Sequence, residues 1–208
     1  MVWLGPESKE RAAPSVVAEG IVGTTPIATP LGWRMAASLI VGQDVLTFDN
    51  GPQPVTSARI VALGAGAMTH WPLLVPPWAL DNRDELILLP EQKVLIEADI
   101  AETLYGDPFA LIPAQALEGW RGITRWRPQQ GAAAVLLEFE DPQVIYASRG
   151  ILLSCPGDPY AEADWFDATH VHYTLAQARH LITCLMAEEA GAALRSLGQH
   201  RPSGLMAD

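Results

Sequence analysis

The chain changes its hydrophobic rhythm twice. From residue 20 to about 157, apolar runs of four to eight residues alternate with turn signals. The runs are "SVVAEGIVG", "RIVAL", "ELILL", "KVLIEA", "FALIP", "AVLLEFE" and "QVIYAS", and between them lie "DNGPQP", "GAG", "PP", "ALDNRD", "GDP", "RPQQG" and "SRG". Runs this short, rich in branched residues and closed by Gly, Pro, Asn and Asp, predict strands, and many of them in succession predict a mainly β body, a sandwich, barrel or horseshoe. "DNG" at 49–51 marks a tight turn, since Asn50 and Gly51 both tolerate positive φ. "AASLIVG" and "AQALEG" predict short helical turns inside the body, and "GDPF" (106–109) and "GDPY" (157–160) each predict a further turn.

From Thr174 to Leu197 the period becomes helical, with apolar residues at 175, 178, 182, 185, 186, 190, 194 and 197 forming one stripe. Thr174 and Gln177 make a T-x-x-Q capping box, Gly198 stands where a stop is expected, and Gly191 is placed to weaken the helix midway. The pattern divides the chain into a flexible lead-in (1–18), a β domain (19–157), a C-terminal helical segment packed on it (158–198) and a polar tail (199–208).

Composition narrows the function classes. The chain has 208 residues and a formal net charge of −11, with Lys9 and Lys93 its two lysines. An acidic surface without a basic cluster disfavours nucleic acid and anionic lipid. No apolar run reaches the ~20 residues of a membrane span, since "IVALGAGAMTHWPLLVPPWAL" is interrupted by His70 and three prolines. The first residues lack the apolar stretch of a signal peptide. Cys155 and Cys184 lack metal-finger or CxxC spacing. A single disulfide between them is one reading; two half-buried thiols in a reducing compartment is the plainer one. These features point to a soluble, cytoplasmic protein.

"TPIATPLGWR", "ASLIVGQDVLTFDNGPQPV" and "RDELILLPEQKVLIE", with "DPFALIPAQAL" and "QVIYASRGILLSCPG" behind them, resemble the Hint (hedgehog/intein) family over about residues 20–157. The likeness is to a bacterial branch with a T-x-I-x-T-P strand and a G-D-x-V-L-T turn. It implies a horseshoe-like β fold and acyl-transfer chemistry. In that family a cysteine at the first domain residue attacks the preceding carbonyl. A histidine in a T-x-x-H block protonates the leaving amine, and inteins finish with a His-Asn pair. Each position can be followed here. The nucleophile falls on Gly20, or within a slip of three on Ile21, Val22 or Gly23, none of which carries a nucleophilic atom. The T-x-x-H block falls on "LPEQ", placing Leu89 and Gln92 where the hydroxyl and the histidine belong, and glutamine cannot transfer a proton near neutral pH. A later family histidine falls on Pro142. Asn50 and Asn82 are the chain's asparagines and neither follows a histidine.

The resemblance therefore implies a domain degenerate in self-processing, acting as a binding or structural module toward a protein or small ligand, with no cofactor. The alternative is a residual self-processing acyl shift with Thr24 or Thr25 as nucleophile and Glu91 as base. Two further groupings stand apart from the family. Trp120, Arg121, Arg125 and Trp126 in "GWRGITRW" combine aromatic and arginine as binding surfaces do, although tryptophans also pack β bodies. His170 and His172 in "THVHY", with Asp164, Asp167 or His180, could ligate a metal such as zinc, or form a plain turn before the helix.

Overall fold

The computed structural model describes residues 17–64, 67–157 and 170–199, apart from the side chains of Thr69 and 196–199. The sequence-based readings of residues 1–16, of "GDPY" beyond Gly157, of Asp164 and Asp167, and of the tail from 200 lie outside them. Fifteen strands and two α-helices are described. The first group is β1 (Ile21–Val22), β2 (Pro26–Thr29), β3 (Gly32–Met35), β4 (Asp44–Thr47), β5 (Gly51–Pro54), β6 (Ser57–Ala62), β7 (Leu73–Val75) and β8 (Leu86–Leu88). After β9 (Lys93–Glu97) comes α1 (Asp99–Tyr105), then β10 (Phe109–Pro113), β11 (Thr124–Arg125), β12 (Ala133–Glu138), β13 (Gln143–Ala147) and β14 (Ile151–Cys155). β15 (Val171–His172) leads into α2 (Leu175–Gln199).

These strands form two sheets, β11-β7-β8-β1-β12-β6 and β15-β10-β9-β14-β13-β2-β3, with the β4–β5 hairpin joined to the second through β13. Pairing is antiparallel except between β10 and β15. Consecutive strands with short turns reach this arrangement readily, because an antiparallel pair needs only a hairpin between its members. The main core is shared by both sheets and the start of α2, with Ile27, Leu73, Leu88, Ile112, Ile145, Leu153 and Leu181 fully enclosed. Burying each such side chain contributes roughly 1.5–3 kcal/mol.

The expected helical turns are 3₁₀ turns, at Ala36–Ser38 and Ala114–Leu117. The "DNG" turn closes β4 on β5 through residues 48–50, with Thr47 facing Gly51, which takes φ +66°. Thr47 Oγ1 donates to Gly51 O and accepts from Asn50 N, and Asn50 Nδ2 donates to Gln143 Oε1 of β13. The first "GDPF" turn ends α1 at Gly106, and Asp107 Oδ1 accepts from Phe109 N.

The capping box forms as expected: Gln177 N donates to Thr174 Oγ1, and Thr174 N donates to Gln177 Oε1. Two expectations about this helix are corrected. α2 runs unbroken through Gly191 and Gly198. A glycine costs about 1 kcal/mol inside a helix, too little to break one that is already capped and docked. The apolar stripe is also buried only in its first half. Ala178, Leu181 and Ile182 are in the core, whereas Met186 and Leu194 are exposed, Leu194 by 70%. The elements that receive α2 are α1, β10 and the 114–117 turn.

Candidate functional site

β1 is held between β12 and β8, with Ile21 opposite both Val135 and Leu88. This pairing presents Gly20 to the wall of a cavity of about 360 Å³. Its lining is mostly apolar, from Val17, Ile21, Val135, Leu137 and Pro156, and it also takes in Glu19, Gln92 and Cys155. A side chain at position 20 would be strained and would have to displace Leu136. Its φ is +125°, a region that L-residues other than glycine rarely enter, and a Cβ there would lie 2.7 Å from Leu136 Cδ2 and 3.2 Å from Val135 O. The next two residues point inward as core, with Ile21 2% and Val22 5% exposed.

Gln92 lies across the cavity from β1, and its side chain is buried. Its Nε2 donates to Ser154 O at 2.8 Å and to Lys93 O at 3.2 Å, so the amide ties the start of β9 to the end of β14. Leu89 is fully buried beside Val22 and Ala134. Pro142 is exposed and packs near Gly157, where a Cβ would meet Pro142 Cδ at 2.8 Å.

Cys155 is the site residue that pattern reading missed. It ends β14, just before Pro156, and carries no motif. The signal is three-dimensional: the Gln92–Ser154 bond spans 62 residues and brings the end of β14 to position 92. The thiol is buried, and burial, followed by the Glu19 carboxylate, pushes its pKa far up, which makes it a poor nucleophile. Glu19 itself is raised above the usual carboxylate range, chiefly by burial and further by Glu91, with Lys93 opposing.

Thr24 is exposed and Thr25 buried, on the turn that leads into β2, and neither lines the cavity. Thr25 N donates to Val22 O, and Ala36 N donates to Thr25 O. The Glu91 carboxylate accepts from Gln115 Nε2, while its backbone N–H donates to Ala18 O. No hydrogen bond joins Glu91 to either threonine among the described residues.

The tryptophan–arginine group is engaged within the molecule. Trp120 is 3% exposed, and its Nε1 donates to Glu189 of α2. Arg121 stacks on the Trp120 ring, pairs with Glu189 at 2.7 Å and donates to Ala79 O. Arg125 pairs with Glu118 and donates to Trp71 O, and Trp126 is half-buried. The two histidines face different partners. His170 is buried between the rings of Phe48 and Phe109, with Nε2 2.9 Å from Asp49 Oδ2. His172 Nδ1 lies 2.9 Å from Lys93 Nζ, and burial, Lys93 and His170 lower its pKa. No group of three or more His, Cys, Asp or Glu side chains placed to hold a metal occurs among the described residues. No described helix is long and apolar enough to cross a membrane.

Two crystal structures of inteins are similar to this chain. A variant of the MchDnaB-1 intein is 17% identical, with 65% of this chain and 98% of that one covered, at a TM-score of 0.43. The Msm DnaB1 intein splicing domain, bound with zinc, is 14% identical at the same coverages and a TM-score of 0.38. No curated protein matches the chain. The model of the Hint domain family matches residues 21–152, well over half the chain, from β1 through the first residues of β14. This chain belongs to the Hint domain family.

Proposed function

We propose that this protein is a Hint domain that has lost self-processing and retains the frame as a binding or structural module, with the cavity beside Gly20 as its binding site. One observation carries the reading: residue 20 has no nucleophilic atom, and a side chain there would be strained and would have to displace Leu136. The surroundings support it. The amide at Gln92 is committed to two backbone carbonyls and cannot act as a proton donor to an amine. The thiol that does line the cavity is held neutral. With Cys155 and Cys184 both free, the reading suits a reducing, cytoplasmic setting.

A cavity of about 360 Å³ admits one large side chain of a partner protein or a small molecule, and its walls favour an apolar group. The test is intact mass spectrometry of the purified full chain, held with and without dithiothreitol or hydroxylamine, which intercept thioesters and esters. The expected result is the uncut mass under every condition. A fragment beginning between Gly20 and Thr25, abolished by replacing Thr24 and Thr25 with valine, would establish a residual acyl shift and overturn the proposal.

A further inference from the structure

Away from the cavity, three side chains on two helices line up in the order that thiol chemistry requires. Tyr105, the last residue of α1, places its Oη 3.2 Å from Nδ1 of His180 on α2. The other ring nitrogen, Nε2, lies 3.8 Å from Sγ of Cys184, one turn further along the same helix. His180 is exposed and Cys184 half-exposed. The remaining cysteine, Cys155, is buried.

A second observation marks the same corner. The ring of Tyr173 meets the ring of Tyr105 edge-on at 4.7 Å. Among the described residues, Tyr173 Oη is the buried side-chain polar atom with no hydrogen-bond partner. Burial, then Tyr105 and Asp107, raise the pKa of this phenol. A buried hydroxyl left unpaired is unfavourable, and a polar atom reaching it would satisfy it.

We infer that Cys184, His180 and Tyr105 form a base-assisted thiol site, independent of the Gly20 cavity, whose substrate class is a low-molecular-weight disulfide. When His180 Nδ1–H donates to Tyr105 Oη, the lone pair of Nε2 faces Sγ. Sγ–H gives its proton to Nε2 as the sulfur attacks one sulfur of the disulfide. The reagent's S–S bond breaks and a mixed disulfide forms on Cys184. The released thiolate takes the proton back from His180. Cys184 is oxidised and the leaving sulfur reduced, so electrons balance without another reactant. The titratable groups facing the imidazole are Tyr105 from α1 and Cys184 from its own helix, with Tyr173 and Asp107 next to Tyr105.

The experiment follows the reaction of the full chain with oxidised glutathione across pH 6 to 10, with the modified residue located by peptide mass mapping. One mixed disulfide on Cys184 is expected, absent in Cys184→Ser and unchanged in Cys155→Ala. His180→Gln lowers the rate at pH 7 by about tenfold, and the two rates converge near pH 10, where a thiol ionises without help. Tyr105→Phe, which leaves α2 untouched, lowers the pH 7 rate about twofold and converges in the same way. A purely structural role would not produce convergence at high pH. Equal rates at pH 7 for wild type and both variants, or a mixed disulfide mapping to Cys155, overturn the inference.

Discussion

Gln92 Nε2 donates to the carbonyl of Ser154 across 2.8 Å, joining the start of β9 to the end of β14. The amide is a structural tie. Replacing it with alanine leaves the carbonyls of Ser154 and Lys93 without their side-chain donor and enlarges the cavity it lines. Gln92→Ala should therefore lose about 1–3 kcal/mol of stability, seen as a lower midpoint in urea unfolding. Gln92→His restores the family's residue type and should still give the uncut mass, because no nucleophile stands opposite. A cleaved product from Gln92→His would refute this account of the site.

Gly20 is the second test of the same frame. Gly20→Ala meets two separate obstacles, the φ of +125° and the contact with Leu136 Cδ2. The expected loss is roughly 1–3 kcal/mol. Adding Leu136→Ala should recover part of it by removing the contact while leaving the backbone strain. Full recovery would mean that the strain is negligible, and no recovery that it is the whole effect. Thermal unfolding of the two single variants and the double variant separates these cases.

Gly150 is constrained by a different neighbour. It ends the β13–β14 turn after Ser148 and Arg149, both at positive φ, and a Cβ on it would lie 2.3 Å from Asp81 O. That carbonyl cannot swing aside. The loop bearing it is fixed by buried Asn82, which donates to Pro76 O and Asp84 O and accepts from Leu80 N. Gly150→Ala should be among the most damaging single substitutions, costing about 3 kcal/mol or more and reducing soluble yield. A variant with unchanged urea midpoint would show that the two loops are not locked together.

The strands that could be read from sequence are those rich in branched residues, whether enclosed like β9 and β10 or at an edge like β6. "KVLIEA" and "FALIP" became β9 and β10 because both lie inside a sheet, where branched residues pack on each side. β3 was invisible as a strand because all four of its residues are exposed at the sheet edge, so Gly32–Met35 carries no burial pattern. The capping box was legible because it is local, and the release of α2 from the core after Leu185 was not, because it depends on where α1 and β10 end. The same distinction separates the site residues. Gly20, Leu89 and Gln92 were singled out by the resemblance alone. The role of Cys155, the Asp49–His170 pair spanning 121 residues and the burial of Trp120 under Glu189 all depend on contacts between distant segments. Tryptophan and arginine side by side have the composition of a binding surface, and here the partner is the protein's own helix.

Glu19 provides a pH test at the mouth of the cavity. Burial, reinforced by Glu91 and opposed by Lys93, raises its pKa in the folded chain above the ordinary carboxylate value. Between the unfolded and folded pKa the native state therefore holds more protons than the unfolded state, and stability falls as pH rises through that window. Below the unfolded value both states are protonated, and Glu19 and a neutral isostere should behave alike. Above the unfolded value the wild-type chain has lost stability that a neutral side chain keeps, so at pH 7 Glu19→Gln should be the more stable protein. Because Glu19 is exposed to solvent as a residue, the gain should be small. Urea midpoints of wild type and Glu19→Gln at pH 3.5 and pH 7 should coincide at the lower pH and separate in favour of glutamine at the higher one. Separation in the opposite direction would mean that attraction to Lys93 outweighs burial at this position.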